Sequence, residues 1–583
     1  MVVAATGPAV AALVVGGFLV AQGATASGAV AVTVDASSVL GTVPSTANGV
    51  NTAVFDGHLN DATAATALAG AEVDALRYPG GSTSDVYHWH TNTTVSGQSY
   101  ANPSNGFDDF MGIASKVGAA PIITVNYGSG TAAEAGAWVK YANVTKGYGV
   151  KYWELGNEVY GDGTYGTSWE YNTKSKGATA YADNIAGYIT QMKAADSSIK
   201  VGAVLTTYGN WPDGKVATNY GDSADWNQTV LQKDGANIDF VILHYYPTST
   251  TVAGMLAQYR NIANIVKQTR AEISEYAGSN ATNIKIMITE TDANYELDSA
   301  PSALFAADTY ATFLENGVAN VDWWDLHNGA ATVGTDADGT TDFGDEGLLS
   351  NASCSSGTCE PASDTLFPTY YGLKAVGDFA TSGGKIVATT SSDSAVTAYA
   401  VKQPGGSLNV MLVNHIASAS EPVSLAYSGF APSSVTSAEQ FTAGTKKLTT
   451  LSGTSTSALT LPAYSITVLK LGTPGSSSTA CVVTATKTAD SGSTFSESLT
   501  IKNTGTSAVT GWKVGFAFGG NQKITGGTGA TYHQSGAAVL AHPTSGDTTI
   551  AAGASVTIGY TATYTGSNAA PAWYALNGVR CTL

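Results

Sequence analysis

Two glutamates, Glu158 and Glu290, stand where carboxylates could carry out acid–base and nucleophilic chemistry. Glu158 ends the stretch Trp-Glu-Leu-Gly-Asn-Glu at residues 153–158, and Glu290 follows the uncharged residues 286–289. Cleavage of a glycosidic bond needs two carboxyl groups, one to protonate the leaving oxygen and one to attack the anomeric carbon. The sequence therefore predicts Glu158 as a general acid/base and Glu290 as the nucleophile of a retaining reaction.

Each glutamate has an acidic neighbour that must be weighed against it. A lone carboxylate at the end of a strand more often lies at the surface or caps a helix. Glu154 lies deeper on the same strand as Glu158, so we expect it to be a buried and paired structural acid. Asp292 lies two residues beyond Glu290 and suits a loop cap. Gly156, which permits a close approach of the backbone, favours Glu158.

Short apolar runs alternate with helical patterns over about 285 residues of the chain. Such alternation predicts parallel strands joined by right-handed helical crossovers, and eight repeats of this length predict a closed (β/α)₈ barrel. A doubly wound open sheet is the alternative, but no G-x-G-x-x-G follows the first run. The eight runs are residues 49–55, 73–78, 121–127, 150–155, 199–206, 238–245, 284–289 and 319–326, and the helical patterns include 132–141, 178–195, 252–276 and 303–315.

Polar and aromatic residues follow several of these predicted strands. In such a barrel the C-terminal ends of the strands form the rim at which substrate enters. Sugars need hydrogen-bonding side chains to orient their hydroxyls and aromatic faces for stacking. The candidates at the rim are Arg77, Asn126, Asn157, His244, Tyr246 and Trp323.

The eighth run ends in two tryptophans whose directions depend on the two-residue period of a strand. Trp323, Asp325 and His327 share one face, and the polar pair predicts that this face points inward. Trp324 would then pack against helices, although a bulge would reverse the two. A tryptophan on a barrel strand is more often core than sugar platform. With that alternative open, the pattern predicts Trp323 as the residue that faces substrate.

No metal or organic cofactor is expected. His88, His90 and Asp85 lie close together in the sequence, but their spacing matches no familiar ligand motif. The sequence also lacks the G-x-S-x-G and H-E-x-x-H motifs that would favour an esterase or a metallopeptidase.

Composition and the N-terminus indicate an exported protein. A net charge of −18 without a basic stripe argues against nucleic acid as a partner. The apolar run at residues 10–20, followed by Ala-Thr-Ala at 24–26, predicts a signal peptide over residues 1–26 and secretion to the extracellular space. That run is too short to span a membrane, and no membrane partner is expected once it is removed.

The four cysteines favour the same compartment. Two pairs in an exported protein predict two disulfides, Cys354 with Cys359 and Cys481 with Cys581. A Cys₄ zinc site is the alternative, but the chain has no C-x₂-C pair.

Changes of texture along the chain divide it into domains. The predicted barrel occupies residues 27–380, with a first strand that could contribute to the next domain instead. Short alternating runs predict an all-β sandwich over 381–471. Residues 472–480 have the composition of a flexible linker, and a second β module follows over 481–583.

Several of these stretches resemble the family 51 α-L-arabinofuranosidases, which belong to a large clan of (β/α)₈ glycoside hydrolases. The resemblance rests on residues 148–158, 77–81, 126–130 and 244–246, and on the strand-like stretch 461–471. It implies that Glu158 is the acid/base and Glu290 the nucleophile. It also implies a sugar subsite lined by Arg77, Asn126, Asn157, His244 and Tyr246.

The implied activity is release of arabinose from arabinoxylan or arabinan in plant cell walls. The sequence around the nucleophile, Thr-Glu-Thr at 289–291, departs from the family pattern of an acidic residue followed by Glu-Trp. Other activities of the clan therefore stay open, namely endo-acting β-glucanase, xylanase or xyloglucanase. A non-catalytic carbohydrate-binding protein is the alternative from a different class.

The last module resembles the family 2 cellulose-binding domains. The resemblance rests on its two cysteines and on residues 503–505, 511–512, 568–571 and 576–578. Domains of that family bind cellulose through a strip of exposed tryptophans. Here residues 491–495, 531–533 and 542–545 hold no tryptophan where that strip is expected, so we predict weak cellulose binding.

Overall fold

The computed structural model describes residues 29–164, 168–208, 225–336, 339–473, 481–505, 508–544, 548–571, 573–577 and 579–583. The predicted signal peptide at 1–26 and most of the predicted linker at 472–480 lie outside these residues. Among the helices that are described, none is long and apolar enough to cross a bilayer.

Eight parallel strands form a closed barrel in which each strand pairs with the next and the last pairs with the first. Almost all of their residues are buried, which explains why they form nearly continuous apolar runs instead of alternating patterns. The predicted (β/α)₈ barrel is confirmed, and the open sheet is excluded. In chain order, strands β1 to β8 are Asn48–Asn51, Ala75–Tyr78, Ala120–Val125, Tyr152–Leu155, Lys200–Val204, Phe240–Tyr245, Lys285–Thr291 and Asn320–Trp323.

Helices surround the barrel. The helix predicted at 178–195 has those bounds, whereas the one predicted at 252–276 is two helices. The break comes shortly after Gly254, a residue of low helix propensity. Helices α1 to α9 of the described chain are Ala62–Gly70, Phe107–Val117, Ala132–Val139, Ala178–Ala195, Trp226–Asp234, Val252–Leu256, Tyr259–Tyr276, Ala300–Glu315 and Pro368–Phe379.

The β domain follows the barrel and includes a strand from the start of the described chain. Strand Val30–Thr42 pairs antiparallel with Lys385–Ser391 and parallel with Glu421–Ser428. The first strand therefore contributes to the β domain instead of the barrel. The other strands of this domain are Val396–Lys402, Leu408–Asn414, Val435–Thr442, Leu448–Thr450, Ala458–Leu461 and Ser465–Leu471.

Helix α8 lies between the barrel and the β domain and is buried along almost its whole length. Its Asp308 accepts hydrogen bonds from the hydroxyls of Thr397 at 2.5 Å and Tyr399 at 2.8 Å, and Nε2 of His415 lies 2.5 Å from its other oxygen. The apolar core of the barrel continues into the β domain through residues such as Met411. The two domains are thus packed as one unit.

The C-terminal module is a β sandwich with its own core around the fully buried Trp512. Its strands are Cys481–Asp490, Thr494–Asn503, Val509–Thr510, Val514–Ala517, Lys523–Thr528, Ala530–Ser535, Ala538–Pro543, Thr549–Ile550, Ser555–Thr563, Tyr574–Leu576 and Val579–Arg580.

Both predicted disulfides are present. Cys354 and Cys359 close a hairpin in the segment between β8 and α9, and Cys481 and Cys581 join the two ends of the C-terminal module. Three hairpins of two-residue strands lie in the loops of the barrel: Tyr87–His88 with Thr93–Thr94, Gly334–Thr335 with Thr341–Asp342, and Cys354–Ser355 with Thr358–Cys359.

Candidate active site

The guanidinium of Arg77, at the end of β2, lies at the centre of the C-terminal mouth of the barrel and is fully buried. Its Nε–H donates to Glu154 at 2.6 Å, and one terminal nitrogen donates to Glu290 at 2.7 Å and to Asn51 at 2.9 Å. The other terminal nitrogen donates to Asn157 at 2.8 Å. One side chain therefore fixes groups from β1, β7 and both ends of the β4 tip.

Glu290 lies near the end of β7 with both carboxylate oxygens engaged. Oε1 accepts from Arg77, and Oε2 accepts from the phenol of Tyr246 at 2.7 Å. A positive charge at this distance and a hydrogen bond to the other oxygen both favour the ionised carboxylate. Glu290 is thus held as an oriented anion, the form that nucleophilic attack requires.

Glu158 follows β4 and adopts a left-handed backbone, with φ 36° and ψ 38°. This conformation is costly for a residue with a Cβ and is typical of functional sites. Gly156 makes the turn possible: its φ is 82°, and a Cβ there would lie 2.7 Å from side-chain carbons of Tyr127 and Val159. The turn directs the Glu158 side chain over the mouth of the barrel.

Three donors surround the Glu158 carboxylate. Nδ1 of His244, from β6, lies 2.9 Å from Oε1, and the phenol of Tyr160 lies 3.2 Å from the same oxygen. The indole N–H of Trp169 donates to Oε2 at 2.7 Å. Burial raises the pKa of Glu158, but the contacts with His244, Trp169 and Tyr160 outweigh it, so the pKa lies below its usual value.

His244 brings the two glutamates together. Its Nδ1 lies 2.9 Å from Glu158 and 3.2 Å from Glu290, and one oxygen of each carboxylate lies within 4.8 Å of the other. Retaining glycosidases hold their two carboxyl groups about 5–5.5 Å apart, whereas inverting enzymes leave a wider gap for water. The spacing is therefore compatible with attack by one carboxylate and proton transfer by the other.

The acidic neighbours of the two glutamates have different surroundings. Glu154 is fully buried and accepts hydrogen bonds from Arg77 and from Thr124 at 2.7 Å, as expected for a structural acid. Asp292 is also buried, and burial together with the charge of Glu346 raises its pKa well above the usual value. Asp292 is thus held in the neutral form, which is unsuited to nucleophilic attack.

A direct sugar contact is excluded for two of the predicted residues. Arg77 and Trp323 are both 0 % exposed. Trp323 packs outward against Phe305 of α8, because Asp322 takes the inward position on β8, and its indole N–H donates to the backbone oxygen of Glu346. The prediction for Trp323 is wrong.

Trp324 takes the place that was predicted for Trp323. It is partly exposed at the rim, and its ring covers Gly81, where a Cβ would lie 2.6 Å from the indole. Its side chain hydrogen-bonds to Glu346. His327, predicted to point inward, is buried between Asp56 at 2.8 Å and Asp364 at 3.2 Å.

The two predicted asparagines shape the loops at the rim. Asn126 accepts hydrogen bonds from the backbone N–H groups of Ser129 and Gly130, so it closes the turn after β3. Asn157 donates to Glu170 at 2.9 Å besides accepting from Arg77. Both are at least 95 % buried, and a direct contact of either with substrate stays a prediction.

Asp85 and the nearby histidines also have structural partners. Asp85 accepts from the backbone N–H groups of Tyr127, Gly128 and Asn157, which ties the loop after β2 to the tips of β3 and β4. Nδ1 of His88 lies 2.9 Å from Glu134.

Sequence reasoning missed the aromatic residues that contact Glu158. Trp169 and Tyr160 lie in the loop between β4 and α4, and a Cβ at Gly161 would lie 2.3 Å from the Trp169 ring. Two aromatic residues in the loop that follows an acid/base candidate were the available signal.

Comparisons with known proteins agree with this architecture. Residues 481–581 match the family model described as Cellulose binding domain. The crystal structure of an α-L-arabinofuranosidase from Thermotoga maritima in complex with arabinose covers 76 % of this chain and 99 % of its own, with a TM-score of 0.60 and 19 % identity. At that identity the likeness shows the fold, a TIM barrel followed by a β domain.

Curated relatives match over shorter stretches. Exoglucanase A from Cellulomonas fimi is 38 % identical over 157 residues, which are 24 % of this chain and 18 % of that protein. A probable α-L-arabinofuranosidase C from Aspergillus fumigatus is 31 % identical over 160 residues, which are 23 % of this chain and 30 % of that protein. The matches thus span less than a third of the length of either relative.

Replacing Arg77 tests its central position. We expect Arg77→Met to lower the free energy of unfolding by about 3–5 kcal/mol, because Glu154 and Glu290 would be left buried without their cation. Thermal and denaturant unfolding measure the loss. Arg260→Met, at an exposed position of α7, is the matched control and should change stability little. An Arg77→Met protein as stable as the control would show that the buried network does not depend on this residue.

Proposed function

We propose that this chain is a retaining glycoside hydrolase with Glu290 as nucleophile and Glu158 as general acid/base. The observation that carries the proposal is the meeting of two carboxylates from β4 and β7 at His244, with one oxygen of each within 4.8 Å of the other. Arg77 already neutralises Glu290 from below, so the upper face of the pair is left for an uncharged substrate.

In the first step, Glu290 attacks the anomeric carbon while Glu158 gives its proton to the leaving oxygen. Arg77 and Tyr246 orient the attacking carboxylate. In the second step, Glu158 takes a proton from water, and that water releases the sugar from the ester formed with Glu290. Two displacements at one carbon return the original anomeric configuration.

The protonation of Glu158 sets the expected pH dependence. The first step uses the protonated acid, so activity should fall as pH rises through the pKa of Glu158. Because the contacts with His244, Trp169 and Tyr160 hold that pKa below its usual value despite burial, we expect an optimum on the acidic side. A substrate that displaces Trp169 from the carboxylate would favour the protonated form.

The substrate proposed is α-L-arabinofuranosyl-substituted polysaccharide of plant cell walls, such as arabinoxylan or arabinan. The resemblance of the strand ends to family 51 and the shared fold with an arabinofuranosidase support this choice. The predicted signal peptide and the two disulfides support action outside the cell. An endo-acting glucanase, xylanase or xyloglucanase is the alternative that a substrate panel separates.

For the C-terminal module we propose weak binding to crystalline cellulose. Its two tryptophans, Trp512 and Trp573, are 0 % and 9 % exposed, so neither offers a flat face to a glucan chain. Exposed His533 and partly exposed His542 stack on each other, with ring centroids 5.1 Å apart, on adjacent strands. Polar imidazoles provide less stacking surface for sugars than indoles do.

Removing each glutamate in turn distinguishes their roles. On an aryl α-L-arabinofuranoside we expect Glu290→Ala to lose roughly 10⁴-fold or more of its turnover. Azide should then restore activity and give a glycosyl azide of inverted configuration, because only one displacement occurs. Glu158→Ala with azide should give the retained configuration, because azide attacks the covalent intermediate.

Glu275→Ala, at an exposed position of α7, is the control and should keep full activity. Turnover that survives Glu290→Ala, or azides of the opposite configurations, would contradict the assignment. Activity on unsubstituted xylan, glucan or xyloglucan in place of arabinofuranosides would keep the mechanism and change the substrate.

Trp169→Phe tests the contacts that lower the pKa of Glu158. The variant keeps an aromatic ring but loses the N–H that donates to Oε2. Since this bond stabilises the carboxylate, its loss should raise the pKa and move the basic limb of the kcat/KM profile to higher pH. Trp89→Phe, whose indole bonds to the backbone of Glu134 away from the glutamates, should leave the limb in place. An unmoved limb in Trp169→Phe would show that this bond does not set the protonation of Glu158.

Retention on crystalline cellulose tests the module. We expect most of the full-length protein to remain unbound at concentrations that saturate a cellulose-binding domain with an exposed tryptophan strip. His533→Trp should increase retention, because it places an indole on the exposed strand face. Tight retention of the unmodified protein would contradict weak binding.

A further inference from the structure

A second group of acidic side chains lies outside the proposed catalytic site, in the loops that follow the last two barrel strands. Asp298 lies between β7 and α8, and Asp336 and Asp342 lie at the hairpin after β8. One carboxylate oxygen from each of the three lies within 4.8 Å of the others. Parts of the chain nearly 40 residues apart therefore present oxygens to the same point.

Asp298 is buried in a way that hydrogen bonding does not explain. Its side chain belongs to a residue that is 6 % exposed, and its Oδ2 accepts from the backbone N–H of Phe343 at 2.9 Å. Its Oδ1 has no hydrogen-bond partner among the described residues. A buried carboxylate oxygen without a partner is costly, and neighbouring carboxylates increase the cost. A cation at this point would remove both penalties.

The other two acids are positioned by their own loop. The hydroxyl of Thr340 donates to Oδ2 of Asp336 at 3.2 Å, and the backbone N–H of Gly344 donates to Oδ1 of Asp342 at 2.8 Å. Asp336 is 5 % exposed, while Asp342 is half-buried. These bonds fix the direction of each carboxylate while leaving further lone pairs on its oxygens.

The donor set suits a hard cation. Ca²⁺ takes six to eight oxygen ligands at about 2.3–2.6 Å, so ligands on opposite sides of the ion stand roughly 5 Å apart. Three carboxylate oxygens that all lie within 4.8 Å of one another fit this size. The cluster contains no His or Cys, the residues that would favour zinc.

We propose that Asp298, Asp336 and Asp342 bind a divalent cation of the calcium type that fastens the loop after β7 to the loop after β8. The first of these loops begins directly beyond Glu290, and the second carries Glu346, which contacts Asp292 and Trp324. The ion would thus brace two sides of the barrel mouth without touching the proposed catalytic pair.

Calcium binding to the full-length protein tests the proposal independently of activity. After treatment with a chelator and its removal, Ca²⁺ should bind, measured by isothermal titration calorimetry, and should raise the Tm by about 5 °C at saturating concentration. Asp336→Asn should abolish both effects. Asp393→Asn, with the same change of charge at an exposed turn of the β domain, should keep both.

Two further measurements keep the result clear. Should Asp336→Asn fail to fold, Asp342→Asn, at the less buried position, should weaken Ca²⁺ binding by at least about tenfold, since a charged ligand is lost. Mg²⁺ should raise the Tm less than Ca²⁺ does. Absence of Ca²⁺ binding by the chelator-treated protein, or unchanged binding by Asp336→Asn and Asp342→Asn, would overturn the proposal.

Discussion

The mouth of the barrel depends on one buried cation. Arg77 donates hydrogen bonds to four side chains that belong to β1, β4 and β7 or directly follow β4. A planar guanidinium can serve several acceptors at once, and its charge cannot be removed by deprotonation. Because a buried charge must be paired, the positions of Glu154, Glu290 and Asn157 follow from that of Arg77. The barrel supplies the strands, and this network sets their tips in register.

Sequence periodicity was sufficient for the architecture because the barrel strands are buried on both faces and stand out as apolar runs. The ends of those runs also located Glu158 and Glu290. Side-chain direction was harder to predict. The tryptophan that faces the mouth is decided by Asp322, which points inward among Arg77 and Glu154, and the sequence offers no sign of that preference. Trp169 was missed because it reaches Glu158 through a loop, where periodicity carries no information.

The boundary between the first two domains is a boundary of sequence texture and not of packing. Helix α8 is buried between the barrel and the β domain, and Asp308 bonds to residues of both following strands and the His415 turn. The strand Val30–Thr42 adds a connection from the other end of the chain. The C-terminal module differs, since its core around Trp512 is its own. Sequence composition separated all three regions equally, although only the last has an independent core.

The left-handed backbone at Glu158 sets the interests of the fold against those of the reaction. A glycine there would adopt the same φ of 36° at little cost, so the most comfortable residue for the turn is one with no carboxylate at all. Selection of random variants for heat resistance alone would be expected to discard Glu158 early, whereas selection for sugar release would keep it. The residue is therefore a record of what the chain has been selected to do, written at the expense of its own stability.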